Sequence, residues 1–187
     1  MGKKPFTARQ IQSLRKIVAG NALHELLLNL GVDLMLRSSD LLTLRVSDLV
    51  AQDIPRSEVQ VKQKKTGHKT MLLPLSEQSR RLIGKHLADR NSEDWVFAGQ
   101  KSHYTGRPIS GIQYSRIVKG WCEALGVDAA HYSTHSLRKT KSSFIYSKTK
   151  NVEVCRRLLG HQSVVATSAY LGIGDEDAAD VAREMVI

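Results

Sequence analysis

Cysteine is scarce in this chain: Cys122 and Cys155 are the only two in 187 residues. Each sits among apolar neighbours in a helix-like pattern, which reads as a buried free thiol rather than half of a disulfide or of a metal site. That argues against a disulfide-stapled secreted scaffold and fits a reducing cytoplasm. The seven histidines and two cysteines show no closed metal-ligand spacing. Long hydrophobic runs are missing as well. The greasiest region is broken by Glu25 and Asp33, and the basic start Met1-Gly2-Lys3-Lys4-Pro5 leads into no apolar segment of signal-peptide type, so nothing addresses the chain to a membrane. Internal repeats, low-complexity tracts and long linkers are absent. What remains is one globular domain, because this length builds one good core but not two full ones.

Acidic residues are the other deficit, with 18 Asp and Glu against 28 Lys and Arg, for a net charge of +10. Such an excess is the electrostatic footprint of a nucleic-acid partner, and equally of a merely solvated basic surface. Position separates the two readings. Lys62, Lys64, Lys65 and Lys69 flank one turn, and Arg138, Lys139, Lys141, Lys148 and Lys150 follow one motif. If these cations track a phosphate backbone, affinity falls steeply with salt.

The periodicities predict a mainly α protein with a small antiparallel β-sheet, an α+β fold. Thr7-Ala8-Arg9-Gln10 reads as a capping box opening a helix to about Ala19, followed by a more completely buried helix from Ala22 to about Leu30. Residues 57 to 75 alternate on either side of Lys65-Thr66-Gly67-His68 and predict a hairpin, with a third strand near Val96. Ser76 and Ser110 are helix caps, and the loop from Ala98 to Pro108 carries Lys101, His103 and Arg107, suited to phosphate contacts. Gly160 is a left-handed helix end that places His161 just beyond it. Ser163 and Asp175 can cap the last two helices.

One residue breaks the apolar pattern in an informative way. Arg37 stands between Leu34-Met35-Leu36 and Leu41-Leu42, where a cation is costly to bury unless an anion meets it. Either Asp40 or a ligand must answer it, and Ser39 can cap the short helix that follows. Further on, His135 and Arg138 share a helix face at i and i+3, His161 follows Leu158-Leu159-Gly160, and Tyr170 comes nine residues later.

Taken singly, these residues have ordinary readings: a helix-end histidine, a packing tyrosine, a surface arginine. Taken as an ordered set, L-x-L-R-S-S-D, K-K-T-G, H-S-L-R, L-L-G-H-Q-S and then Tyr170, they resemble the tyrosine recombinase (phage integrase) family over about Arg9 to Leu171. The resemblance implies that family's catalytic-domain fold, with Tyr170 as the nucleophile that forms a 3′-phosphotyrosyl link to DNA. Arg37 and Arg138 would hold the non-bridging oxygens, and Lys65, with Lys64 its rival, would protonate the leaving 5′-oxygen. His135 would assist proton transfer, and His161 would donate a hydrogen bond to the phosphate. Lys62, Lys64, Lys69, Lys101, Arg107, Lys139 and Lys141 are candidate DNA contacts. No cofactor or metal is implied.

The implied partners are a double-stranded DNA recombination site and, on it, a homotetramer that is a monomer in isolation, with accessory DNA-bending proteins in some systems. Residues 171–187 would form a segment exchanged between protomers, and residues 1–6 a tail or linker. The resemblance leads us to expect a chain that starts at the catalytic domain with no core-binding domain before it, either an excised piece or a small invertase-like recombinase. A nucleoid-associated, cytoplasmic enzyme is the expectation. Two other readings stand beside it, a type IB topoisomerase, against which His135 counts, and a non-catalytic DNA-binding regulator. Departures from the family pattern are Asp40 for the usual Glu, Ser38 for an aliphatic residue, and Thr149-Lys150 where the turn usually has glycine.

Overall fold

The computed structural model describes residues 2–99 and 106–185. The chain is mostly helical, and the order of its elements follows from local signals. Thr7 caps α1 (Ala8–Ile17) reciprocally: its hydroxyl accepts from the Gln10 amide at 3.2 Å, and the Gln10 side chain accepts from the Thr7 amide at 2.8 Å. Asn21 caps α2 (Ala22–Asp33), which is buried from Glu25 onward and forms the centre of the molecule. The short helices α3 (Ser38–Leu41) and α4 (Val46–Leu49) follow it, and packed on it are α5 (Glu77–Leu87), capped by Ser76, and α7 (Thr134–Thr149), capped by Ser133. One contiguous core joins them, from Phe6 through Leu27, Leu49, Leu73 and Ile83 to Tyr114 and Leu137.

The second helix runs past Leu30 to Asp33, farther than its sequence suggests, with Gly31 in the added turn. A glycine inside a helix costs about 1 kcal/mol relative to alanine. Here it permits close approach, since a Cβ would stand 2.9 Å from Tyr114 Oη and 3.5 Å from Leu137 Cδ1. Tyr114 is 1% exposed and has nowhere to move. Gly31→Ala is therefore expected to destabilise the protein by about 1–3 kcal/mol through overpacking, read as a lower urea midpoint at unchanged slope.

Two short antiparallel sheets replace the single sheet expected. The hairpin of residues 57 to 75 is present: β3 (Glu58–Val59) pairs with β4 (Leu73–Pro74), and a further bridge joins Lys62 to Lys69. Before it, β1 (Val50–Ala51) and β2 (Ile54–Pro55) form a second hairpin. Its turn takes Gln52 and Asp53 into the left-handed region, at φ of 49° and 60°. The extended piece near Val96 does not join either sheet. Trp95 bridges to Arg45, and the Val96 amide donates to Leu44 O at 3.0 Å, so this segment lines the helical layer instead.

Beyond it lie α6 (Gly111–Ala124), capped by Ser110, a 3-10 turn over Ala129–His131, α8 (Val152–Leu159), α9 (Val164–Leu171) and α10 (Asp175–Glu184). The N-cap of α10 is Gly174 rather than Asp175, with the Asp177 carboxylate accepting from the Gly174 amide at 2.8 Å. The turn between α7 and α8, which lacks a glycine, is made by Lys150 at φ 52°. Both cysteines are fully buried, and burial raises both thiol pKa values. Among the described residues, no helix is long and apolar enough to cross a membrane, and no group of His, Cys, Asp and Glu is placed to hold a metal ion.

Candidate active site

The site is assembled from four regions that the fold brings to one end of α2. At the end of that helix Met35 turns left-handed, at φ 48°, and the chain swings out so that Arg37, not Ser39, becomes the N-cap of α3 (Ser38–Leu41). Arg37 Nη1 faces Asp40 Oδ2 at 3.9 Å and donates to Gln63 Oε1 at 3.2 Å. Asp40 is wholly buried, and its other oxygen accepts from the Lys64 amide at 2.9 Å. The carboxylate thus answers the arginine loosely while pinning the hairpin, and the Arg37 side chain keeps 23% of its exposure for another anion.

Arg138, on the first turns of α7, is 3% exposed. Its Nη2 donates to Leu159 O at 2.8 Å and lies 3.3 Å from His161 Nε2, whereas its Nε is buried with no partner. Burial lowers its pKa to about 10, so it remains a cation at neutral pH. Gly160, at φ 63°, ends α8 and delivers His161 to that guanidinium. The orientation of the imidazole follows from its neighbours. Thr167 Oγ1 donates to Ser163 O at 2.8 Å, so across its 3.1 Å contact with His161 Nδ1 the histidine carries the hydrogen. Nε2 is then bare and accepts from Arg138. Arg156 supports the same turn from behind, donating to His161 O at 2.7 Å while held by Glu153.

Tyr170 lies on α9, one turn after Thr167, with its ring edge-on to His161 at a centroid distance of 5.3 Å. Lys139 Nζ stands 5.9 Å from the phenol ring. The hydroxyl is buried and makes no hydrogen bond of normal geometry, although the Arg138 guanidinium lies close enough to favour its ionised form. Burial raises the phenol pKa, and the charges of Arg138 and Arg37 oppose this only in part, so the group is held as a neutral phenol. His135 is lowered by desolvation first and then by Arg138 and Arg37, which places it within electrostatic reach of both. A cleft of about 380 Å³ runs between Arg37, Thr66 and the Gly160–Ser163 turn, with Ala166 on its wall.

Lys65 is exposed in the hairpin turn, next to Thr66, which lines that cleft. Lys62, Lys64, Lys69 and Arg107 are exposed as well. Lys141 is placed differently: its Nζ is 3.2 Å from both the carbonyl and Oδ1 of Asp33, tying α7 to α2. Much of its charge is spent inside the protein, which weakens it as a DNA contact. Lys101 falls outside the described residues. Sequence reasoning missed Gln63 and Thr167. Thr167 was within reach of it, since a residue three before Tyr170 on a helix shares its face.

Burial, and then the charges of Arg138 and Arg37, lower the His161 pKa to about 4, below the roughly 6.5 of an unfolded chain. The folded state therefore resists the proton that the unfolded state accepts. The stability this represents is complete above about pH 6.5 and is lost as pH falls toward 4. Comparing urea unfolding at pH 7 and pH 5, where the carboxylates contribute little, should show a loss of stability that is smaller in His161→Gln. His135 and His24, lowered in the same direction, account for the remaining slope.

Comparison with known proteins gives one consistent answer. The phage integrase family matches residues 4–176. A probable integrase/recombinase, YoeC of Bacillus subtilis (strain 168), is 34% identical over 155 residues, covering 83% of this chain and 80% of its own. A tyrosine recombinase of Pseudothermotoga lettingae is 27% identical over 95% of this chain but only 59% of its own length. Among solved structures, XerA recombinase superposes with a TM-score of 0.75 at 15% identity, over 98% of this chain and 64% of that one. XerH recombinase in a post-cleavage complex with its difH substrate gives 0.72 at 17% identity, over 97% and 53%. The chain thus spans little more than half the length of several relatives. With the family match over nearly its whole length and this fold beneath the ordered Arg37, Arg138, His161 and Tyr170, the chain belongs to the phage integrase family of tyrosine recombinases.

Proposed function

We propose that this chain is the catalytic domain of a site-specific recombinase that cleaves and rejoins DNA through a 3′-phosphotyrosyl intermediate. The observation that carries the reading is the meeting of Arg37, Arg138, His161 and Tyr170: Arg37 and His161 line one cleft, His161 touches Arg138 and Tyr170, and both guanidiniums act on one buried phenol. The Tyr170 oxygen attacks the phosphorus of a phosphodiester as the bond to the 5′-oxygen breaks. The phenol proton leaves toward His135, and the 5′-oxygen takes a proton from Lys65. Arg37 and Arg138 hold the negative charge that gathers on the non-bridging oxygens, where forked donors fit best. The ester energy is kept in the tyrosyl link, so attack by a 5′-hydroxyl reverses the step.

The relatives named above are recombinases and integrases, which favours this reading over topoisomerase or regulator, and XerH was solved on its DNA substrate. The partner is double-stranded DNA, met in the cytoplasm at the nucleoid by Lys62, Lys64, Lys69, Arg107 and Lys139, with Lys101 kept as a further contact. Recombination proceeds in a tetramer of protomers that are single in isolation, bent DNA being supplied by accessory proteins where the site requires it. Residues 171–187 serve the assembly: α10 buries none of its residues and carries Ala178 and Val181 on one stripe, as a helix passed to a neighbour would.

The test is covalent capture. A pool of duplexes with a randomised segment and a nick is incubated with the protein, and detergent-resistant complexes are recovered and sequenced. Capture through the 3′-phosphate, converging on one sequence, is the expected result. Absence of capture, or a link through the 5′-phosphate, would overturn the reading.

A further inference from the structure

Gln63 is the buried member of an otherwise exposed, lysine-rich turn. Lys62, Lys64 and Lys65 face solvent around it, yet Gln63 is 3% exposed. Its side-chain amide meets three parts of the site at once. Oε1 accepts from Arg37 Nη1 at 3.2 Å and from Thr66 Oγ1 at 3.0 Å. Nε2 lies against Gly160, so close that a Cβ on that glycine would stand 2.5 Å from it. The backbone of Gln63 closes the turn as well, donating to His68 O at 2.9 Å and accepting from the Gly67 amide at 2.8 Å.

At the next residue, Asp40 holds the Lys64 amide. The segment bearing Lys65 is thereby anchored at its start to groups that also face Arg37, and its far end is closed onto Gln63 through Gly67 and His68. We propose that Gln63 is a positioning residue for strand cleavage, which sets Arg37 and the Lys65 turn in register with the Gly160–His161 turn. The cation that binds the phosphate and the acid that protonates the leaving oxygen then address one phosphodiester. The inference rests on the function proposed above. A buried glutamine that merely filled space would be replaceable by a side chain of equal volume. One that positions would not, because Oε1 is the shared acceptor and misplacement of reacting groups by about 1 Å can cost 10²-fold in rate.

The experiment uses the full chain with Gln63→Met, which keeps the volume and removes the acceptor, and Gln63→Glu, which gives Arg37 a competing anion. Single-turnover cleavage is measured at saturating concentration of a nicked duplex captured by the parent. It is repeated on the same duplex with sulfur in place of the bridging 5′-oxygen. A thiolate leaves without help from an acid, since thiols ionise near pH 8.5, so that substrate removes the share of any deficit that arises at Lys65. Gln63→Met should cleave the normal duplex about 10- to 100-fold more slowly, with Kd and melting temperature close to the parent's, and its deficit should shrink on the sulfur duplex. Gln63→Glu should stay slow on both, because its carboxylate still occupies Arg37. A parent-like rate in Gln63→Met, or a deficit accounted for by Kd or by melting temperature, or one identical on both duplexes, overturns the proposal. Failure of the parent to capture any duplex would instead count against the proposed function.

Discussion

Tyr170→Phe should abolish covalent capture of DNA while leaving the protein as stable as the parent, or more so. The first half follows from chemistry. Phenylalanine offers no atom to bond phosphorus, and loss of a nucleophile costs on the order of 10⁴-fold or more where the remaining groups act as a unit with it. The second half follows from geometry. The Tyr170 hydroxyl is buried with no hydrogen bond of normal geometry and only the Arg138 guanidinium close by, so it has been taken from water with little in exchange. Removing it relieves a cost of about 1 kcal/mol, enough to raise the melting temperature by about 2–4 °C in a domain of this size. Capture on the selected nicked duplex, and a thermal melt of the same sample, check the two halves together. A large loss of stability would mean that the phenol oxygen has a partner this geometry does not give it.

Arg138→Lys should be almost as damaging to cleavage while barely changing how tightly DNA is held. The substitution keeps the charge, so long-range attraction to the backbone survives. What it loses is the fork. Nη2 now serves Leu159 O and His161 Nε2 while the buried Nε has no protein partner, an arrangement that lets one guanidinium hold the turn and still present a donor to a phosphate oxygen. A lysine ammonium is a single point and cannot do both. The expected loss is about 10²- to 10³-fold in the single-turnover cleavage rate, with Kd on the nicked duplex changed by less than about tenfold. A rate within a few-fold of the parent would show that charge alone suffices at this position.

Much of the candidate site could be proposed from the sequence because it consists of rare residues in a fixed order. Arg37 stood out as a cation in apolar surroundings, and the H-S-L-R and L-L-G-H fragments combined a functional group with a helix signal, an i, i+3 face in one and a left-handed glycine in the other. The helix caps at Thr7, Ser76, Ser110 and Ser163 were equally plain, since each is a short polar side chain placed just before an apolar period.

What stayed hidden depends on contact rather than on pattern. Gln52-Asp53 makes a tight hairpin turn without the Asn-Gly or Asp-Gly signal, so β1 and β2 went unseen. Residues around Val96 looked extended, and are, but extension does not name a partner, and theirs is the chain near Leu44. The helix read as ending near Leu30 runs on through Gly31, and the Tyr114 hydroxyl that requires a glycine there is contributed by α6. Gln63 and Lys141 are ordinary polar residues by sequence. Only the fold shows that one faces inward among exposed lysines and that the other is claimed by Asp33.

The walled-in phenol has a consequence for how such an enzyme is kept safe. A tyrosine that stood ionised at the surface could attack any strand it met, and a cell would carry a standing stock of reactive breaks. Here the oxygen is neutral and enclosed beside a guanidinium whose Nε lacks an acceptor. Reactivity must arrive with the phosphodiester itself, which alone can draw Arg138 into new bonds and open a path to the hydroxyl. If Tyr170 is the nucleophile proposed above, discrimination would be exercised twice on one encounter, once in holding the duplex and again in arming the phenol, with no nucleotide hydrolysed for the second check.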